Sequence, residues 1–328
     1  MTRQRIEPLD ESDLTALATI WNDAPAASGR LGARYPLTLR ALAQWWRSPD
    51  TDPGLALAAR DGDGRLLGAV LARAPQRAWC EASIGHVSLL AVAADVRGRG
   101  IGRALWDAAL ALLAERGRTT VRLGADPDHV LPGVPVDADD ATWRFFLRAG
   151  AVPGAVEHDV RVDLRSTRLD PAGSDDLRVV DDAAAALAFV ERHFPGRWHD
   201  EARCYAEAGV ALLTLQDGIG RTLGFAAAFR PTDAYLGPSL TWHDALPGPA
   251  GGLGPLGVDP DVRGRGLGLR LVRAGLVWHR DRGAHDVVLN WTTLTPFYGR
   301  LGARVWRSYQ RVDVAPLADV APRPHAAR

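Results

Sequence analysis

A run of eleven residues occurs twice in this chain, with eight of the eleven positions identical. Asp95–Leu105 reads DVRGRGIGRAL, and Asp261–Leu271 reads DVRGRGLGLRL. From Asp95 to Asp261 the offset is 166 residues, close to half of the 328-residue chain. The apolar runs Val121–Leu123 and Val287–Leu289 keep the same offset. The sequence therefore predicts two tandem copies of one domain.

Both copies show the same order of predicted elements. A helical pattern comes first, followed by two strand-like runs around a glycine turn, a buried strand, the glycine-rich run, a second helix and further strands. The clearest segments are the helices Leu14–Trp21 and Ala183–His193, and the hairpin strands Leu55–Ala59 with Leu66–Ala72 and Val210–Leu215 with Leu223–Phe229. The predicted fold class is α/β, with a mixed sheet in each domain.

The repeat sets the predicted domain boundaries. The first domain covers residues 1–165, a polar linker covers 166–176, the second domain covers 177–316, and 317–328 form a flexible tail. From Gly150 to Gly302 the offset falls to 152 residues, so the first copy carries about 14 extra residues around Asp126–Asp140. Such an insertion could cover a cleft in the first domain.

Composition excludes several classes of protein. The chain has 39 arginine and lysine residues, and every one of them is arginine. Without lysine there is no P-loop, no kinase strand lysine and no pyridoxal-phosphate Schiff base. A net charge of zero gives no support to nucleic-acid binding. The two cysteines are far apart, and no metal site, signal peptide or membrane span is predicted, so we expect a cytoplasmic protein.

The repeated run suits an anion. In each copy a buried strand, His86–Val92 or Gly254–Val258, leads into the glycines, and a helix follows. The first turn of a helix has unpaired N–H groups and a partial positive charge. Glycines allow a ligand to approach the backbone closely, and the neighbouring arginines add charge. Since the GxGxxG spacing of dinucleotide-binding folds is absent, we interpret the run as a different diphosphate site.

The spacing R-x-x-G-x-G, present as Arg97–Gly102 and Arg263–Gly268, resembles the GNAT superfamily of acyl-CoA-dependent N-acyltransferases. The resemblance covers most of the chain and implies two tandem GNAT domains that bind acetyl-CoA. It also implies a sheet that splays between its fourth and fifth strands, with the fourth strand's backbone pairing with pantetheine and offering an N–H to the thioester oxygen. The residues expected to contact the cofactor are Leu90, Ala91, Val92, Arg97, Gly98, Arg99, Gly100, Ile101, Gly102, Leu256, Gly257, Val258, Arg263, Gly264, Arg265, Gly266, Leu267, Gly268 and Asn290.

The family's F-Y-x-x-x-G pattern occurs only in the second copy, at Phe297–Gly302. There the resemblance implies that Tyr298 is the catalytic general acid that protonates the departing CoA thiolate. Asn290 precedes Tyr298 by eight residues, one more than the family spacing. The first copy has Gly124 and Phe146 at these positions. We therefore expect catalysis in the second domain and a structural, regulatory or degenerate first domain.

The predicted activity is transfer of an acetyl group from acetyl-CoA to the amine of a small molecule. The tandem arrangement is also similar to that of mycothiol synthases, which names an amino-sugar thiol as one candidate acceptor. The alternatives are a non-catalytic acyl-CoA sensor and a Fem-like aminoacyl transferase. Candidates for the general base are His243 with Asp244 in the second copy and Glu81 with His86 in the first. Pairing of the two halves as an internal pseudo-dimer would favour a monomer, and the oligomeric state stays open.

Overall fold

The computed structural model describes residues 5–23, 31–128, 131–169 and 177–315. Its strands are β1 (Arg5–Pro8), β2 (Ala56–Arg60), β3 (Leu66–Arg73), β4 (Ile84–Val92), β5 (Thr120–Leu123), β6 (Val134–Pro135), β7 (Ala151–Asp163), β8 (Arg178–Asp181), β9 (Ala211–Gln216), β10 (Thr222–Phe229), β11 (Ala250–Val258), β12 (Asp286–Thr292) and β13 (Arg304–Val314). Its α-helices are α1 (Leu14–Asn22), α2 (Leu31–Arg34), α3 (Leu39–Trp46), α4 (Ile101–Glu115), α5 (Asp140–Arg148), α6 (Ala183–His193), α7 (Arg197–Glu207), α8 (Leu267–Arg280) and α9 (Thr295–Gly299).

The chain forms two compact units. Unit 1 contains the residues up to Glu157 together with those from Ser308 onwards, and unit 2 contains His158–Arg307. Both are built on a mixed sheet with helices, which confirms the predicted fold class. Of the predicted linker and tail, residues 170–176 and 317–328 lie outside the described residues.

The sheets of the two units have the same strand order. In unit 1 the order is β1-β2-β3-β4-β5 followed by the end of β13, and in unit 2 it is β8-β9-β10-β11-β12 followed by the end of β7. Every pairing is antiparallel except β4 with β5 and β11 with β12. The predicted hairpins β2–β3 and β9–β10 both form.

Each unit takes its last strand from the other sequence copy. Asp313 of β13 pairs with Arg122 of β5 in unit 1, and Asp163 of β7 pairs with Asp286 of β12 in unit 2. The repeat places the first boundary after residue 165, whereas the compact units place it after Glu157. The difference arises because strand pairing, and not position along the chain, decides which unit a strand belongs to.

Both sheets splay at their parallel pair of strands. In unit 1 the β4–β5 pairing runs from Ile84 to Val87, and β4 then continues without β5. In unit 2 the β11–β12 pairing runs from Ala250 to Gly252, and β11 then continues without β12. The two parallel pairings start at equivalent points, since 84 and 250 differ by the repeat offset of 166, and they end at Val87 and Gly252. This is the splay that the family resemblance led us to expect.

The helices begin at polar caps or glycines and bury one side against the sheets. The side chain of Asp182 accepts from Ala185 N (2.9 Å) at the start of α6, and Thr38 accepts from Ala41 N (3.1 Å) at the start of α3. Gly100 and Gly266 precede α4 and α8 in left-handed conformations. In the described part of the chain, no helix has the length and apolar character needed to cross a membrane.

Candidate active site

The two glycine-rich turns have the same backbone conformation. Gly98 and Gly100 have φ of 75° and 82°, and Gly264 and Gly266 have φ of 81° and 76°. These are left-handed values that favour glycine. A Cβ added at any of the four would meet no heavy atom within 4 Å. The backbone in both turns is therefore accessible to a ligand from outside.

Both turns present unpaired amides at the start of a helix. The first bonded N–H groups of the two helices are those of Ala104, which donates to Gly100 O (3.0 Å), and of Arg270, which donates to Gly266 O (3.1 Å). The N–H groups of the preceding turn have no partner within the helix. Such an array, with the positive end of the helix dipole, fits a diphosphate. The residues present thus fit the diphosphate of coenzyme A in both units.

The arginines of the two turns differ. Nε of Arg97 donates to the carbonyl oxygen of Val92 (2.7 Å), so this side chain folds back onto the end of β4. Arg99 donates to the carbonyl oxygen of Asp95 (3.1 Å). Arg263 and Arg265 are exposed, and their side chains make no hydrogen bond or ion pair among the described residues. The second turn therefore keeps more uncommitted positive charge.

The predicted pantetheine-binding backbone borders the splay in both units. Leu90, Ala91 and Val92 pair with β3 on one side, and Leu256, Gly257 and Val258 pair with β10 on one side. Their other edge is not paired with the parallel neighbour, because that pairing has already ended. This free edge can bind an extended amide chain as an added strand would.

The cleft of unit 2 contains an open space beside β11. Gly254 is buried and has φ of 127°, yet a Cβ added there would meet nothing within 4 Å. A Cβ at Gly257 would instead lie 2.7 Å from the ring of Phe194 and 3.1 Å from that of Trp198. Aromatic rings therefore cover one part of β11, and empty space adjoins another.

Tyr298 lies on α9 and is mostly buried, with 8% of its surface exposed. Its ring packs against Phe297 with centroids 4.9 Å apart, and Phe297 in turn lies against Gly268 at the start of α8. Burial raises the pKa of Tyr298 to about 12. The hydroxyl therefore stays protonated at neutral pH. It makes no hydrogen bond to another described residue, so it is available as a donor.

The strand before Tyr298 contains a β-bulge. Leu289 pairs with Val160, and Thr292 pairs with His158. Between these two pairs β12 advances by three residues and β7 by only two, which is the pattern of a β-bulge. The extra residue falls at Asn290–Trp291, and Trp291 has a positive φ of 53°. The bulge lies in the segment whose spacing exceeds the family spacing by one residue.

Four residues outside the predicted set of site residues lie next to this bulge or on α7. The N–H of Trp291 donates to Oδ1 of Asp159 (3.3 Å), a buried carboxylate on β7. The guanidinium of Arg197 lies 5.5 Å from the Trp291 ring and donates to Glu201 (2.7 Å). Asp159 could not be found from sequence, because it belongs to the first copy and folds into unit 2.

The corresponding region of unit 1 is filled by a polar network. The buried Arg73 lies 4.0 Å above the Trp45 ring and forms an ion pair with Asp128. Asp126 accepts hydrogen bonds from Ser88 and from Trp45 Nε1 (3.0 Å). Burial alone would raise the pKa of Asp126, but the charge of Arg73 and these hydrogen bonds outweigh it and lower the pKa. Asp126 and Asp128 come from the predicted insertion, of which residues 129–130 lie outside the described residues.

The candidate bases are held by backbone contacts. Nδ1 of His243 donates to Leu240 O (2.7 Å), and its Nε2 lies 3.3 Å from Asp244. Nδ1 of His86 donates to Gly124 O (2.9 Å), and burial lowers the pKa of this histidine. Glu81 is exposed and accepts from Ser83 (3.3 Å). None of these contacts assigns a base.

A sequence profile described as the acetyltransferase (GNAT) family matches residues 15–132 and 179–303, which is more than half of the chain. The two matched segments correspond to the two sequence copies.

Several similar proteins are mycothiol acetyltransferases. The one from Salinispora arenicola (strain CNS-205) is 28% identical over 344 residues, covering 94% of this chain and 95% of that protein. The one from Clavibacter sepedonicus is 32% identical over 257 residues, covering 73% of this chain and 72% of that protein.

Solved structures share the fold. A tandem GNAT protein from the clavulanic acid biosynthesis pathway has a TM-score of 0.66 at 20% identity and covers 98% of this chain and 99% of that one. A glucosamine N-acetyltransferase region of a fungal multi-domain β-N-acetylglucosaminidase has a TM-score of 0.80 at 24% identity, covering 95% of this chain and 38% of that one.

Proposed function

Because this chain belongs to the acetyltransferase (GNAT) family, we propose that its unit 2 transfers the acetyl group of acetyl-CoA to the amine of a small molecule, and that unit 1 does not. The chain is an acyltransferase that uses acetyl-CoA.

The open space at Gly254 carries the proposal. Acetyl-CoA supplies a thioester, and the carbonyl carbon of a thioester accepts an amine. The free edge of Leu256–Val258 would hold the pantetheine arm, and the amides before Arg270 would hold the diphosphate, with Asn290 as a further contact. In unit 2 the space beside β11 leaves room for an acyl group, whereas in unit 1 side chains occupy the matching region.

Tyr298 holds a proton at its phenolic oxygen throughout the ordinary pH range, since its pKa is about 12. A free thiol has a pKa near 8.5, so complete transfer of that proton to a thiolate would be uphill by roughly 3.5 units. Tyr298 therefore acts chiefly by donating a hydrogen bond to the sulfur as negative charge develops on it. A backbone N–H of β11 would do the same for the carbonyl oxygen.

The residues next to the β12 bulge suit an amine. Asp159 is a buried carboxylate there, and Trp291 and Trp198 have apolar faces that a sugar ring could pack against, whereas Glu201 is already paired with Arg197. The similarity to mycothiol acetyltransferases makes an amino-sugar thiol related to mycothiol the first acceptor to assay.

The test uses a matched pair of glycines. Gly254 and Gly220 both have positive φ and both have empty space at Cβ, but Gly220 lies in the exposed β9–β10 turn. An alanine costs about 1–2 kcal/mol of backbone strain at Gly220, and more at Gly254, whose φ of 127° lies outside the left-handed helical region, so melting curves must first show that Gly254→Ala is folded. Only Gly254→Ala adds a methyl group to the cleft. We expect kcat/KM for acetyl-CoA to fall at least tenfold in Gly254→Ala and to stay within about twofold in Gly220→Ala.

Activity is best followed by mass spectrometry of the acetylated amine, because an amino-sugar thiol would itself react with thiol reagents. A panel should pair each amino sugar with its deoxy analogue that lacks the amine. Equal activity of the two glycine variants would place the reaction elsewhere in the chain. Acetylation of the amine-free analogues as fast as of the amino sugars would contradict N-acetyl transfer.

A further inference from the structure

Unit 2 contains a pocket lined by residues other than those assigned above to acetyl-CoA. Its volume is about 650 Å³, within the usual range for sites that bind small molecules. It is formed by the end of β7, the 166–168 segment, α8, the end of α9 and the start of β13. None of its lining residues belongs to the glycine turn, to the β11 backbone or to the pair Asn290 and Tyr298.

The pocket has an excess of positive charge. A single acidic residue, Asp163, lines it together with five arginines, namely Arg161, Arg168, Arg273, Arg300 and Arg304. Hydrogen bonds from Arg165, which lies outside the lining, lower the pKa of Asp163 and keep it ionised. Asp163 is therefore already paired and does not neutralise the arginines that face the pocket.

The arginines differ in how far they are neutralised within the unit. Nε of Arg161 donates to the buried Asp286 (2.6 Å), so this ion pair is complete without a ligand. Arg300 and Arg304 are exposed, and neither makes a hydrogen bond or an ion pair to any residue that the structure describes. At least these two guanidinium groups can bind an anion without breaking an existing contact.

Hydroxyl donors accompany the arginines. Ser166 and Thr167 line the same pocket. Thr167 packs closely on Gly302, where an added Cβ would lie 3.1 Å from its Oγ1 and where φ is 78°. A guanidinium fork matches the geometry of phosphate and carboxylate oxygens, and hydroxyls complete such sites. The lining therefore has the donor set of an oxyanion site.

The amount of charge indicates the kind of anion. One phosphate monoester carries about −1.5 to −2 charges at neutral pH. Arg300 and Arg304 together match one such group, Arg168 and Arg273 also line the pocket, and the volume is larger than one phosphate group requires. We propose that this pocket binds a small polyanion with at least two phosphate or carboxylate groups, as a ligand separate from acetyl-CoA.

The experiment is isothermal titration of the full chain with inorganic tripolyphosphate, pyrophosphate and orthophosphate at low salt. Saturating acetyl-CoA is present, so that the glycine turns are already occupied. We expect one tripolyphosphate per chain, with affinity rising along the series from one to three phosphates. The double variant Arg300→Gln/Arg304→Gln should bind tripolyphosphate at least tenfold more weakly.

Arg178→Gln is the matched control, because Arg178 is an exposed arginine of unit 2 on β8 outside the pocket. It should bind tripolyphosphate as the unsubstituted chain does. Melting curves verify the fold, and should the double variant melt early, Arg300→Gln alone serves in the same assay. No binding, or equal binding by the double variant and the control, would overturn the proposal. Binding that appears only without acetyl-CoA would also overturn it, since the arginines would then belong to the acetyl-CoA site.

Discussion

The two units share their strand order and their glycine turns but differ in the cleft that follows. Strand register and the repeat offset match four positions of unit 1 with four of unit 2. The pairs are Arg73 with Phe229, His86 with Gly252, Ser88 with Gly254, and Asp126 with Thr292. Polar and charged side chains in unit 1 thus stand where unit 2 has an aromatic ring, two glycines and a threonine.

The difference separates two kinds of binding site. A diphosphate site made of backbone amides needs only glycines and a helix start, so we propose that both units retain it. A reaction cleft needs empty space and particular side chains, and we propose that unit 1 lacks both. Arg73 and Asp126 are buried at the positions that match Phe229 and Thr292 of unit 2, and Phe146 has no hydroxyl. Retention of the turn is therefore no indication that a unit reacts.

The largest effect is expected at Arg73. Arg73→Met would leave Asp126 and Asp128 without their buried counter-charge, and removal of one partner of a buried ion pair costs about 3–5 kcal/mol. Urea unfolding should show a loss of that size, while the folded variant keeps its rate of acetyl transfer. Arg103→Met, which removes an exposed arginine paired with Asp107, should change the free energy of unfolding by about 0.5 kcal/mol or less. A loss below about 1 kcal/mol for Arg73→Met would mean that the network is not essential to unit 1.

Next in size is a pH effect on the stability of unit 2. His279 of α8 donates to Gly252 O (3.0 Å), and burial lowers its pKa to about 4. Between pH 6.5 and 4 the unfolded chain binds a proton at this histidine and the folded chain does not. Stability should therefore fall as the pH falls through this range, by about 3 kcal/mol from this group.

His279→Gln keeps an N–H donor but removes the titration. Between pH 4 and 6.5, the slope of its free energy of unfolding against pH should be smaller than that of the unsubstituted chain, by the equivalent of about one bound proton. Between pH 7 and 8 the two curves should run parallel. Denaturant titrations at a series of pH values measure this. An unchanged slope below pH 6.5 would show that His279 is protonated in the folded unit.

The third prediction compares the matched aromatic residues of the two units. Tyr298→Phe removes the donor to the sulfur, and kcat should fall about 10²-fold. Its counterpart Phe146→Tyr adds a hydroxyl to unit 1, where Arg73 and Asp126 still fill the cleft, and should leave kcat unchanged. Steady-state rates with saturating acetyl-CoA and amine measure both. Full activity of Tyr298→Phe would show that the reaction does not need this hydroxyl, and a faster Phe146→Tyr would show that unit 1 reacts.

Much of the fold could be predicted because it depends on local patterns. The helices α1 and α6 and the hairpins β2–β3 and β9–β10 follow from apolar periodicity and turn glycines, and they form as predicted. The splay and the positive φ at the glycine turns also agree with the expectations from sequence. The assignment of site residues to acetyl-CoA, and of the reaction to Tyr298, stays a prediction for the experiments above.

The amino-acid sequence by itself determined the duplication, the two turns for a diphosphate and the lack of a tyrosine hydroxyl at Phe146, since each is a matter of residue type and spacing. Only the tertiary structure decided where Asp159 lies, what fills the cleft of unit 1 and which arginines meet around the arginine-lined pocket of unit 2. Those depend on strand pairing and on contacts between residues far apart in the chain. Local periodicity carries no information about such contacts, because the residues involved come from different elements and, for Asp159, from the other sequence copy.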